Sequence, residues 1–483
     1  MSSSRQASRP LDVVIRNAVL ATASDTTPCE IGIRDGIVAV LGTHLPRGRS
    51  EIDALGRIVT PGGVDGHCHI DQPMAPPVRL SDDFESGSRS AACGGTTTII
   101  PFAAQRKGGS LREAVDDYHR RAAGRSCVDY GFHLIVSDPT PTVLRDELPE
   151  QIAQGLSSFK LYMTYDAVKL SDHQILKLLA LARDHGATAL VHAENTDCIA
   201  WMTENLASAG KIAPRYHALS RPLLVEREGT HRAIALSELV DVPILIVHVS
   251  GHEAVEQIRW ARGKGLNIFA ETCPQYLLLT AEDLGVDDSY TGARCVCSPP
   301  PRDRDSQEAI WHGLADGLFT IFSSDHSPFN LGGAHGKHPD GKEVPFPRIP
   351  NGVPGIETRL PLLYSEGVLG GRITLNKFVE LTATNPAKLY GIHPRKGTIA
   401  VGSDADLVVW GTEPVLLGNH MLHHGADYTP YEGMGLKAWP VCTMLRGEVI
   451  WDGVTFTGRA GAGQFLRRGS SSMLGTRSAA RPA

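Results

Sequence analysis

His67 and His69 in PGGVDGHCHI are separated by one residue, so on an extended segment both imidazoles face the same side and can grip a single cation. An isolated HxH is a weak signal, because paired surface histidines are common. Here three further groups each close a short apolar run: Lys160 in GLSSFKLYM, His192 in ALVHAEN and His248 in ILIVHVS. Another such run ends in the pair Asp325 and His326, in TIFSSDH. If the runs are parallel strands, all of these groups emerge at one end of one sheet. An ammonium, with an ordinary pKa of about 10.4, cannot bind a cation. Lys160 therefore fits only if its charge is removed, as when the amine adds carbon dioxide to become a carbamate, N6-carboxylysine, whose two oxygens can bridge a pair of ions. A salt-bridged lysine is the ordinary alternative, and its place among the histidines favours the carbamate. A strand alternates its sides, so only one of Asp325 and His326 should face the site. The carboxylate is the better base for water held between two cations. Together these residues predict hydrolysis by a two-metal centre.

The elements needed to position them are legible as eight strand-like runs: VTPGGVDGH, TTTIIPFA, VDYGFHLIVS, LSSFKLYM, ATALVHAE, PILIVHVS, LNIFAET and LFTIFSSDH. Helical stretches such as HEAVEQIRWARGKG lie between them, which predicts an α/β fold, a (β/α)8 TIM-type barrel over 61–395. Short β-branched runs fill 1–60 and return in 396–458, so the two ends are expected to build one small β-sandwich from distant segments. The stretch NLGGAHGKHPDGKEVPFPRIPNGVPG after the eighth run is too long for an ordinary connection and reads as a functional loop. Residues 459–483 form a C-terminal extension of low apolar content, expected to be partly disordered.

A chain of 483 residues can bury a large core, and its formal charge of -6 without a polybasic block gives no footprint for nucleic acid or an anionic membrane. No apolar run has the length of a bilayer span or secretory signal. Nine scattered cysteines, an odd number, predict a reduced cytoplasmic protein. Cys295 and Cys297 read as buried thiols, and Cys68 should point away from its flanking histidines.

PGGVDGHCHI, GGTTTIIPF, SSFKLYMTY, VHAEN, ETCPQYL, CSPP, SSDHSPF, IPNGVPGIETR and DYTPYEG together resemble, in order and spacing, the dihydropyrimidinase and hydantoinase family, the cyclic amidases of the amidohydrolase superfamily. The likeness runs from the N-terminal β segment to about Gly458. It implies one metal held by His67, His69, Lys160 and Asp325 and a second by Lys160, His192 and His248. Tyr165, five residues after the bridging lysine, would donate to the developing oxyanion, and backbone groups of Ser298 and Asn351 would hold the cyclic amide. The ions would be zinc, with manganese or cobalt as substitutes. The substrate would be a small cyclic amide such as a dihydropyrimidine, a 5-substituted hydantoin or a cyclic imide, and the assembly a homotetramer or homodimer.

The chain departs from the family in the loop after HxH, where IDQPMAPPVRLSDDF brings two prolines and Arg79. Arg79 either pairs with Asp82 or Asp83 on the surface or favours an acidic ring substituent. Ser323 also stands where glycine is more usual. An allantoinase shares the ligand order, but its Trp-Glu-Gly-Phe pattern is missing from this loop. A noncatalytic scaffold would have lost metal ligands, and here the full set is present.

Overall fold

The computed structural model describes residues 9–74 and 76–474. Eight parallel strands curl into a barrel: Gly63–Asp65, Thr96–Ile99 continued by Phe102–Ala104, Asp129–Tyr130 continued by His133–Ile135, Ser158–Tyr162, Thr188–His192, Ile244–Ile246, Ile268–Thr272 and Ile321–Phe322. The second and third strands are interrupted at Pro101 and Gly131. The ladder bridges both breaks, since Gly131 N donates to Ile99 O at 3.0 Å and His133 N to Pro101 O at 2.9 Å. The longer strands are buried along their whole length, as expected where helices cover one face and packed side chains fill the other. Leu190, Leu245, Phe269 and Ile321 fill the interior.

The barrel closes between its first and last strands with help from Arg359. Its buried guanidinium donates to Phe322 O at 2.8 Å and to Val64 O at 3.2 Å, one carbonyl from each edge. His69 N donates to His326 O at 2.6 Å beyond the strand ends.

The run VTPGGVDGH divides between two sheets. Ile58–Pro61 pairs antiparallel with Leu407–Gly411 in a six-stranded sheet, and only Gly63–Asp65 enters the barrel. Gly62 permits the passage, because a Cβ there would lie 2.1 Å from Thr97 Oγ1. The six-stranded sheet thus joins N- and C-terminal segments. It faces a four-stranded sheet formed by Val13–Arg16, Glu30–Arg34, Ile37–Gly42 and Ser50–Asp53. Ile15, Ile33, Val59, Leu407 and Met444 form their shared core.

Residues 459–474 lie across the barrel on the side away from the strand C-termini. Leu466 N donates to Tyr130 O at 2.7 Å, Leu466 joins the interior cluster, and Phe465 packs against Phe132 with centroids 5.4 Å apart. The expected disorder of this extension concerns 475–483, which lie outside the described residues.

Candidate metal centre

The strand ends bring the candidate ligands together. His67 and His69 leave the first strand, and their Nε2 atoms lie 3.2 and 3.4 Å from Asp325 Oδ1, which follows the eighth. These three groups form a cluster able to hold an ion. Lys160, in the fourth strand, places Nζ 2.7 Å from His67 Nε2 and is 1% exposed. His192 ends the fifth strand and His248 follows the sixth, with ring centroids 4.4 Å apart; His248 also lies 5.4 Å from His67.

The tautomers follow from partners that sequence reasoning did not assign. His67 Nδ1 donates to Glu271 Oε2 at 2.6 Å, which leaves Nε2 facing Lys160 and Asp325. Glu271 also accepts from His248 N at 3.0 Å. His69 Nδ1 meets Gln72 Oε1 at 2.7 Å, and His192 Nε2 donates to Glu194 Oε2 at 2.7 Å. Arg221 holds the same Glu194 oxygen at 2.6 Å. Carboxylates that fix an imidazole through its second nitrogen are usual behind metal-binding histidines. Glu271 and Glu194 sit inside motifs already singled out, at strand ends, where a carboxylate was a readable signal. Arg221 and His217 lie in RYHALSRP, which carries no such signal.

Both ring nitrogens of His248 are buried without a hydrogen-bond partner. Leaving two such atoms unpaired is costly, and a metal ion on one of them resolves part of that cost. Imidazole nitrogens with a carboxylate suit a borderline divalent cation, so the donor set fits the expected metal.

Burial pushes the Lys160 ammonium down to about 8, against the pull of Asp325 and Glu271. An uncharged amine, the form that attacks carbon dioxide, is thereby accessible near neutrality. For Asp325 burial acts upward, but His67, His69 and Lys160 outweigh it and hold the carboxyl at about 2. Burial raises the Tyr165 phenol to about 12 despite Arg221 and Ser298 beside it, so it remains a donor at neutral pH. Tyr165, His248 and Asp325 have φ of 69°, 41° and 47°, a region costing a non-glycine residue about 1–3 kcal/mol.

Ser298 Oγ lies 3.3 Å from His217 Nε2, which also donates to Cys297 O at 2.8 Å. Asn351 is brought to the same wall, because Gly352 N donates to Val296 O at 3.0 Å, and its buried Oδ1 has no partner. His326 turns away, donating from Nε2 to Asp82 Oδ2 at 3.0 Å while its Nδ1 accepts from Gly355 N at 3.0 Å. Arg79 does not make the expected pair. Asp82 is taken by His326, and Asp83 caps the helix Phe84–Cys93 and binds Arg125 at 2.5 Å. Arg79 instead lines a cavity of about 720 Å³ beside Gln72 and Met74. Cys68, Cys295 and Cys297 are free, buried thiols.

The amidohydrolase family profile matches residues 58–450. The chain is similar to a D-hydantoinase of Rhizobium radiobacter, 44% identical over 461 residues that cover 95% of this chain and 99% of the relative. It superimposes on the crystal structure of the dihydropyrimidinase from Brevibacillus agri NCHU1002 with a TM-score of 0.91 at 40% identity, covering 95% of this chain and 99% of that one. An L-hydantoinase (dihydropyrimidinase) from Arthrobacter aurescens matches with a TM-score of 0.85 at 30% identity, over 95% of this chain and 100% of that one.

Proposed function

The chain belongs to the amidohydrolase family, and from that premise we propose how it works as a cyclic amide hydrolase and which residues carry the reaction. The substrate is a dihydropyrimidine, a 5-substituted hydantoin or a cyclic imide, opened at a ring amide to a carbamoyl or carboxylated amide product. The observation that carries this reading is Lys160, buried in the barrel mouth with Nζ 2.7 Å from His67 Nε2 and ringed by histidines. A permanent ammonium there would repel the cation that the histidines and Asp325 are arranged to hold.

As N6-carboxylysine, Lys160 would help to hold two ions, one together with His67, His69 and Asp325 and the other together with His192 and His248. When bound, two divalent ions, zinc above manganese or cobalt, supply hydroxide at neutral pH and polarise the ring carbonyl. Ser298 and Asn351 hold the ring through their backbone groups. Tyr165 donates its phenolic proton in a hydrogen bond to the carbonyl oxygen as that atom gains charge. Asp325, ionised before the reaction, accepts the proton left on the attacking oxygen and passes it to the leaving ring nitrogen. Residues 61–395 form the catalytic unit, with 1–60 and 396–458 as its supporting sandwich. Nine free cysteines suit a reducing cytoplasm, and among the described residues no helix is long and apolar enough to cross a membrane. A homotetramer is the proposed assembly.

The test is a turnover screen over dihydrouracil, hydantoins with apolar and acidic substituents, allantoin and succinimide. Hydrolysis of dihydrouracil or of a hydantoin supports the reading, and turnover of allantoin alone replaces it with a ureide hydrolase. Arg79, unpaired with either expected aspartate, makes the acid-substituted hydantoin the informative member of the set.

A further inference from the structure

Away from the barrel mouth, three side chains with metal-binding atoms converge behind the helix Phe84–Cys93. Cys93 is its last residue, Glu357 lies in the segment after the eighth strand, and His423 comes from the C-terminal part of the chain. Their ligand atoms all lie within 4.8 Å of one another. Tetrahedral coordination at zinc-like bond lengths sets ligand atoms roughly 3.3–3.8 Å apart, so small side-chain movements bring this trio onto one ion.

The cluster is held from several sides. Glu357 Oε2 accepts from Ser90 Oγ at 2.9 Å and from His423 N at 2.8 Å, while Oε1 meets His423 Nδ1 at 2.8 Å. The His423 ring stands edge-on to Trp451 with centroids 5.2 Å apart. Cys93 and Glu357 are buried, whereas the His423 side chain keeps 27% of its exposure, which gives an entry side and room for water. Burial, with Glu357 beside it, pushes the Cys93 thiol well above its ordinary range and keeps it neutral, and Arg89 opposes this only in part, so the thiolate forms as the ion binds. A thiolate and a carboxylate supply two negative charges to set against a divalent ion, and the thiolate selects a soft or borderline metal.

We propose that Cys93, Glu357 and His423 form a cation site separate from the catalytic centre, which takes a thiophilic divalent ion of the zinc class. Binding exchanges protons for metal: the thiol releases its proton to solvent, His423 coordinates as neutral imidazole, and no electron is transferred. The ion ties the helix to two segments distant in sequence, so it stabilises the folded state by mass action.

The test titrates the purified, catalytically loaded enzyme with Co²⁺. The catalytic ligands proposed above supply only nitrogen and oxygen, so cobalt there gives no thiolate-to-metal charge transfer. Binding at Cys93 gives a near-ultraviolet charge-transfer band that saturates at one added equivalent per chain, together with a rise in Tm. The band should vanish in Cys93→Ser and need at least tenfold more cobalt in His423→Gln, with cyclic amide turnover unchanged in both. Absence of the band in the native enzyme, or its persistence in Cys93→Ser, would overturn the proposal. Should Cys93→Ser fail to fold, an undiminished band in His423→Gln does so.

Discussion

Residue chemistry at this site rests on groups whose charge is set by burial against a few close neighbours. Asp325, held at about 2, is already ionised throughout the range from pH 6 to 9. A rise in kcat/KM towards alkaline pH therefore belongs to ionisation of the attacking water rather than of Asp325, and Asp325→Asn removes the proton acceptor without a compensating pH. That variant should stay nearly inactive from pH 6 to 9, and recovery of turnover at the alkaline end would show another base at work. Tyr165→Phe removes only a hydrogen-bond donor. It should keep its metals and lose about 10²–10³ in kcat. An unchanged kcat would remove Tyr165 from the mechanism. His67, His69, Lys160, His192, His248 and Asp325 were legible in the sequence because each stands in or just after an apolar run that forms a strand, towards the barrel mouth. Gln72, His217 and Arg221 were not legible. They act through hydrogen bonds that only the folded chain creates, and Arg79 lost its expected partners because Asp82 and Asp83 serve a buried histidine and a helix cap.

At the scale of elements, the period of apolar runs gave the eight strands. Their breaks came from single residues: Pro101 has no N–H to give, and the glycines at 62 and 63 let the chain cross from sandwich to barrel. The segment 295–298 is positioned largely by side chains from elsewhere. His217 holds Cys297 O, and Lys337 from the long loop donates to Val296 O at 2.6 Å. Burial lowers His217 to about 3 from an ordinary 6.5, so the unfolded chain binds a proton that the folded chain refuses between those values. Its contribution to stability is full above pH 6.5 and is lost as pH falls towards 3, by about 1.4 kcal/mol per pH unit for one proton. Urea unfolding midpoints at pH 7, 6 and 5 should fall steadily for the native chain and less steeply for His217→Gln. Parallel slopes would mean that His217 does not control acid sensitivity.

For the whole molecule, the C-terminal segment belongs first to its own subunit. Phe465 and Leu466 cover the barrel floor, and the buried Arg468 guanidinium donates to Phe132 O. Composition predicts partial disorder in this extension because its apolar residues are few, and Phe465 and Leu466 are among the few that pack within 459–474. Truncation after Gly458 should lower Tm by several degrees, and an unchanged Tm would contradict the packing role. The helix Thr196–Ser208, by contrast, has no fully buried residue, and Trp201 on it is 64% exposed. The central claim, a carboxylated Lys160 bridging two ions, is tested most directly by metal content per active chain. Elemental analysis should find two divalent ions in the native enzyme, and Lys160→Ala should lose at least one of them together with turnover. Two tightly bound ions in a Lys160→Ala protein that still hydrolyses a cyclic amide would contradict it.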